Sequence, residues 1–235
     1  MRTRELPPPL PPHERTVGQL IAETIRFYGQ HFWRALPLGL AVAIADQLSV
    51  RQTAGVQMLA YWALTPLFVA AFVWACTLVH ERPATRTAVA LALLVYLPFP
   101  ALRAVFILPG VAWFALIGLA VTAAMVEGLR FRDSLVRGRQ LGTADYVHAL
   151  GSLAALVIVV GVAANTLSAL LHTQGDNGQR VAVFLSDLVL SPLLFLGGAL
   201  LYLDQAARVV GSARAAVHPA LDAHATGRHD AQVEP

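Results

Sequence analysis

PGVAWFALIGLAVTAAMVEG followed by LRFRDSLVRGRQLG, residues 109–142, decides how the rest of the chain is read. Residues 109–126 run eighteen positions without a charge. As a helix rising about 1.5 Å per residue they are long enough to cross a hydrocarbon layer roughly 30 Å thick. Directly after this run come Arg130, Arg132, Arg137 and Arg139. An apolar span closed by an arginine cluster sets both the solvent and the facing of the chain, because positive loops stay on the cytoplasmic side.

Composition agrees. Of 235 residues 57% are hydrophobic and 13% charged, about half the usual charged share, with mean hydropathy +0.60. The sequence pI is about 9.5, but the arginines fall between apolar runs instead of forming one basic domain, so nucleic acid is excluded as the expected partner. All seventeen basic residues are arginine. Cys76, the single cysteine, lies inside an apolar run and can form neither an intrachain disulfide nor a Cys-based metal site.

Working outward from the central span, six crossings are expected: 33–50, 55–79, 87–108, 110–128, 146–171 and 181–203. The first is the weakest, interrupted by Arg34, Pro37 and Asp46, and the third should bend at Pro98 and Pro100. Before them, Thr16 and Gln19 fit a capping box that opens a helix with Val17, Leu20, Ile21, Thr24, Tyr28 and Phe32 on one face. It reads as an amphipathic helix in the membrane interface, with Tyr28, Phe32 and Trp33 at headgroup depth. The linker 129–143 reads as a short surface helix, and HTQGDNGQR, 172–180, as a polar loop.

The fold class is therefore an all-α polytopic membrane bundle of six transmembrane helices with two surface helices. Residues 1–14 are expected to form a proline-rich disordered tail, 15–208 the membrane domain and 209–235 a second disordered tail. With both termini on the side of the 129–143 linker, fourteen arginines lie there and three (Arg51, Arg103, Arg180) opposite, which places both termini in the cytoplasm of an inner membrane.

Tyr28 and Phe32 ending the opening helix, Pro109-Gly110, Glu127-Gly128, the linker's Leu135, Arg137 and Leu141, and Tyr202, Asp204 and Arg208 together resemble a bacterial six-helix membrane family. That family is itself similar to the membrane domain of some glycerophosphoryl diester phosphodiesterases. The resemblance covers most of 16–208 and implies a helical membrane fold without the phosphodiesterase catalytic domain. Gly138, Ala144 and Ala206 depart from it, standing where the family often has Ser, Gly and Arg.

Three groups of residues are candidates for a site. Arg130, Arg132, Arg137 and Arg139 are placed to bind anionic lipid headgroups. Asp46, Arg103 and Asp187 should lie at similar depth on spans one, three and six, so an intramembrane ion pair is expected among them. Glu127, closing span four, is expected to pair at the helix end with Arg34 or Arg208. In span five, Gly151, Ala155, Gly161, Ala164 and Ser168 would admit a close neighbour, with Asn165 bonding across it. The histidines have no ligand spacing, and no serine carries a nucleophile-elbow or triad pattern. Neither a metal, a cofactor nor an enzyme is expected. The leading functional expectation is a non-enzymatic membrane scaffold or accessory protein that contacts the lipid bilayer, with a membrane-protein partner or homo-oligomer. The alternative is a small transporter or channel using Asp46, Arg103 and Asp187.

Overall fold

A computed structural model describes residues 15–171 and 175–229, and among them every regular element is a helix. The proline-rich stretch 1–14 lies outside the described residues. Helix α1, Val17–Gln30, starts after Thr16, whose backbone N–H donates to Gln19 Oε1 at 2.8 Å, the reciprocal half of the expected capping box. Its apolar face is covered by protein: Leu20, Thr24 and Tyr28 are buried, with Leu20 packed among Ala149, Leu153 and Leu201. Trp33 is the aromatic that stays exposed.

The stretch 33–50, expected as the first crossing, is broken into α2 (Phe32–Ala35), a 3-10 turn (Leu36–Gly39) and α3 (Leu40–Ser49). Pro37 withholds a donor where a continuous helix would need one. The ten residues of α3 rise about 15 Å, half the thickness of a hydrocarbon layer. Long, apolar helices cover Arg86–Arg103, Ile107–Val126, Tyr146–Leu167 and Gly178–Gly211, four able to cross a membrane. A fifth arises if α4 (Ala54–Ala63) and α5 (Thr65–His80), bent by 50° at Leu64 ahead of Pro66, count as one span.

The third apolar run is divided as expected into α6 (Arg86–Tyr96) and α7 (Phe99–Val105) around Pro98 and Pro100. The break releases carbonyls at the end of α6, and indoles satisfy two of them: Trp113 Nε1 donates to Val95 O and Trp62 Nε1 to Leu97 O, both at 3.0 Å. Away from water such carbonyls must find partners within the protein. Next come α8 (Ile107–Ile117) and α9 (Leu119–Val126), then a reversal at Gly128, whose φ of +65° suits glycine.

Helix α10, Phe131–Ala144, is more than a surface helix. Ser134, Gly138, Leu141 and Gly142 are buried. A Cβ on Gly138 would stand 2.5 Å from the Ala120 backbone nitrogen, and one on Gly142 2.6 Å from the carbonyls of Ala115 and Leu116. Small residues four apart thus bring α10 into backbone contact with α8 and α9. In α11, Tyr146–Leu171, the small residues are used differently. A Cβ on Gly161 would meet nothing within 4 Å, and the amide of Asn165 donates to its own helix at Gly161 O, 2.7 Å away, instead of bridging to a neighbour. Little of α11 is covered by the rest of the chain, and Ile158, Val162 and Leu170 point outward, an apolar face suited to lipid.

The expected loop 172–180 is helical from Gly175 onward, where α12 (Gly175–Leu190) begins. It passes almost directly into α13 (Pro192–His229), proline at N1 losing no helical bond. The expected unstructured tail from 209 is instead helical to His229. Its alanine content favours continuation of the helix. Gly178–Gly211 alone rises about 51 Å and so outreaches an apolar layer. The core centres on Phe72, Leu91 and Leu196 in one cluster and Leu20, Leu141 and Leu201 in a second.

Candidate functional site

A half-open chamber of about 210 Å³ lies among α3, α4, α5, α6, α7, α8, α11 and α13. Its walls are largely aromatic: Tyr61, Phe68, Tyr96, Phe99, Phe114 and Phe195. The rings form a connected set, with Phe68 5.9 Å from Tyr61, 6.0 Å from Tyr96 and 6.4 Å from Phe195 between centroids. The chamber lies beside the 50° bend between α4 and α5, with Tyr61 lining it from one side of the bend and Phe68 from the other.

The charges gather at one end of the chamber. Arg103 Nη2 stands 3.8 Å from Asp46 Oδ1, and the guanidinium carbon lies 4.1 Å from the centre of the Tyr61 ring. The Tyr61 hydroxyl donates to the same Asp46 oxygen. These side chains are 40% and 30% exposed for Arg103 and Asp46, whereas the lining residues Phe195 and Leu156 are buried. Asp187, on α12, adjoins Asp46 and is buried, and its Oδ2 has no hydrogen-bond partner among the described residues. Gly39 makes this possible: a Cβ there would collide with Leu188 O, so the 3-10 turn touches the α12 backbone and seats α3 against it. The expected grouping of Asp46, Arg103 and Asp187 is therefore present, with Asp46 the carboxylate that faces the guanidinium.

The expected partners of Glu127 are not those found. Arg34 is exposed on α2, and Arg208 binds Asp145 instead, Nη1 to Oδ2 at 2.7 Å. Glu127 accepts from Arg137 Nε at 2.9 and 3.2 Å and from the Tyr202 hydroxyl at 2.8 Å. The reversal at Gly128 lays α10 back along α9, which carries Arg137 to Glu127 although ten positions separate them. Arg137 is thereby withdrawn from the expected headgroup set. Arg130, Arg132 and Arg139 remain exposed.

A second buried network at this end joins α1, α11 and α13. Arg15 Nη1 is 2.6 Å from Glu23 Oε2 and 3.2 Å from Asp204 Oδ1, and Asp204 is fully buried. Arg208 Nη2 donates to Arg15 O at 2.8 Å. Asp145 accepts from the His148 backbone N–H at 3.1 Å with its other oxygen, so it caps α11 while holding Arg208. Arg15, Tyr61 and Asp145 were not singled out from the sequence. Asp145 carried a signal, an aspartate immediately before a long apolar run, which is the N-cap pattern. Tyr61 carried none.

Among the described residues, no group of three or more His, Cys, Asp or Glu side chains is arranged to hold a metal. Compared with known proteins, the chain matches no family model, no curated protein and no solved structure.

Proposed function

We propose that the chain is a multi-pass protein of the cell inner membrane, crossing six times with both termini in the cytoplasm. It acts as a non-enzymatic accessory protein whose inner face holds anionic lipid headgroups. One observation carries this reading: α10 is in backbone contact with α9 at Gly138 and with α8 at Gly142 while Arg130, Arg132 and Arg139 stay exposed. A rigid basic shelf is the result, and each arginine near an anionic surface contributes about 1 kcal/mol. The 33–50 stretch supplies the sixth crossing together with the segments packed on it, and the arginine asymmetry supplies the orientation.

The test uses the full chain purified with its native lipid and read by mass spectrometry. Phosphatidylglycerol should be retained over phosphatidylethanolamine, and the triple variant Arg130→Gln, Arg132→Gln, Arg139→Gln should lose that preference. Equal retention by both proteins would sink the shelf. Labelling of Gln140→Cys before permeabilisation of cells would sink the orientation. A second reading, a small transporter using Asp46, Arg103 and Asp187, is favoured by the chamber that Asp46 and Arg103 line, with Asp187 beside Asp46.

A further inference from the structure

We infer that the chamber lined by Asp46 and Arg103 is a binding site for a small neutral molecule, a single aromatic ring carrying a carbonyl oxygen. The inference does not rest on the basic shelf, and holding such a guest requires no transport across the membrane.

Size sets the first limit. At about 210 Å³ the chamber exceeds an apolar cavity of about 150 Å³ that admits benzene and falls short of the roughly 300 Å³ of sites for drug-sized ligands. One ring with a compact substituent fits; a lipid with two acyl chains does not. The walls set the second. Six aromatic side chains line the space, and three of them stand 5.9 to 6.4 Å from Phe68 between centroids. Aromatic pairs are favourable at separations of about 4.5 to 7 Å, so one more ring extends this set. A flexible aliphatic chain would give up rotamer freedom for the same contacts.

Charge decides between a neutral guest and an ion. Among the described residues, Asp46 and Arg103 are the only charged side chains on the lining, one of each sign. Asp187 lies off the lining and shares a hydrogen bond with Asp46. The lining is therefore balanced, and an ion of either sign would leave water without finding an opposite charge left over to offset the cost. Hydrogen bonding then decides what the ring carries. Asp46 is engaged, by the Tyr61 hydroxyl at Oδ1 and by Asp187. Arg103 keeps donors in reserve: its Nη2 is 3.8 Å from Asp46 Oδ1, longer than a hydrogen bond, and a guanidinium has five N–H donors and no acceptor. The atom that meets it must be an acceptor. A carbonyl oxygen on the guest supplies one without adding charge, while the ring occupies the aromatic part of the chamber.

The experiment uses the full chain in phosphatidylcholine nanodiscs and para-fluoroacetophenone as the probe, read by fluorine NMR against empty nanodiscs, which account for probe dissolved in the bilayer. Saturable binding with one site per chain is expected. Ethylbenzene, of similar shape but without the acceptor, should compete about tenfold less well than acetophenone, the value of one hydrogen bond to a charged group. Benzoate and benzylammonium should also compete at least about tenfold less well. Val157→Trp, which fills the chamber from α11, should abolish binding while the protein still elutes as a single species. Asp46→Asn combined with Arg103→Met keeps the lining neutral and removes the donors, so acetophenone and ethylbenzene should then compete equally. Absence of saturable binding by the wild-type chain overturns the inference, as does competition by ethylbenzene or by either ion that equals acetophenone's. Binding untouched by Val157→Trp, or a preference for the ketone that survives the double variant, overturns it too. Where a variant fails to fold, the four-guest competition on the wild-type chain decides alone.

Discussion

The two ends of this bundle handle charge in opposite ways. At the end carrying Glu127 and Asp204, carboxylates meet arginines at 2.6 to 3.2 Å, and helices approach to backbone contact through Gly138 and Gly142. At the end carrying Asp46 and Arg103 the ion pair is 3.8 Å long, two apolar runs are broken, and a chamber opens between them. Charge at the first end holds helices together. At the second it borders a space.

The largest expected effect comes from opening the first network. Arg15→Ala removes from the fully buried Asp204 the guanidinium that hydrogen-bonds it and leaves it facing His148 Nε2 at 3.9 Å. Removing one member of a buried pair costs about 3 to 5 kcal/mol. The loss should appear as a large fall in thermal midpoint, and adding Asp204→Asn should restore part of it, since the stranded charge is then gone. Arg103→Ala at the other end should cost much less, because its 40% exposed side chain and the 30% exposed Asp46 are both reached by water or headgroups. Equal losses at the two sites would erase the distinction between the ends.

Packing is next. Gly138→Val places a methyl-bearing carbon 2.5 Å from the Ala120 backbone and should cost about 1 to 3 kcal/mol as overpacking, whereas Gly161→Val meets open space and should stay within about 0.5 kcal/mol. Detergent-resistance and thermal-midpoint measurements on the two variants separate a glycine used for contact from one that is not. Smaller again is Tyr202→Phe, which removes one hydrogen bond to the Glu127 carboxylate and should cost about 1.5 kcal/mol.

These pairs also mark what could be read from the chain. Apolar run lengths give the helices, Thr16 and Gln19 give the start of α1, and Pro98 and Pro100 give the break after α6. Equal depth in their spans was enough to group Asp46, Arg103 and Asp187. The partner of Glu127 was not legible, because it depends on the direction the chain takes after Gly128, a torsion and not a pattern. The contact face of α10 was legible in principle: Ser134, Gly138 and Gly142 recur every four residues, but the arginines between them draw the eye to the opposite face. Span five showed the reverse: Gly161 stands at the right spacing and meets no neighbour among the described residues. A chamber walled by eight helices has no local signature at all, since it is the volume left over when the segments pack.

The bent segments are also where the comparison can be sharpened most finely. Trp113 and Trp62 each donate an indole N–H to a carbonyl freed at the end of α6, at Val95 and Leu97. Trp113 is half-buried and Trp62 exposed. Trp113→Phe keeps most of the ring area but strands the Val95 carbonyl, so it should cost about 1 kcal/mol, and Trp62→Phe should cost less because lipid-facing groups or interfacial water can reach Leu97. Both changes leave the ion pairs at the opposite end intact. A loss from Trp113→Phe clearly larger than that from Trp62→Phe would make the half-buried indole the one that holds the break at Pro98 together. Equal losses from the two variants would show that exposure does not decide what each carbonyl bond is worth.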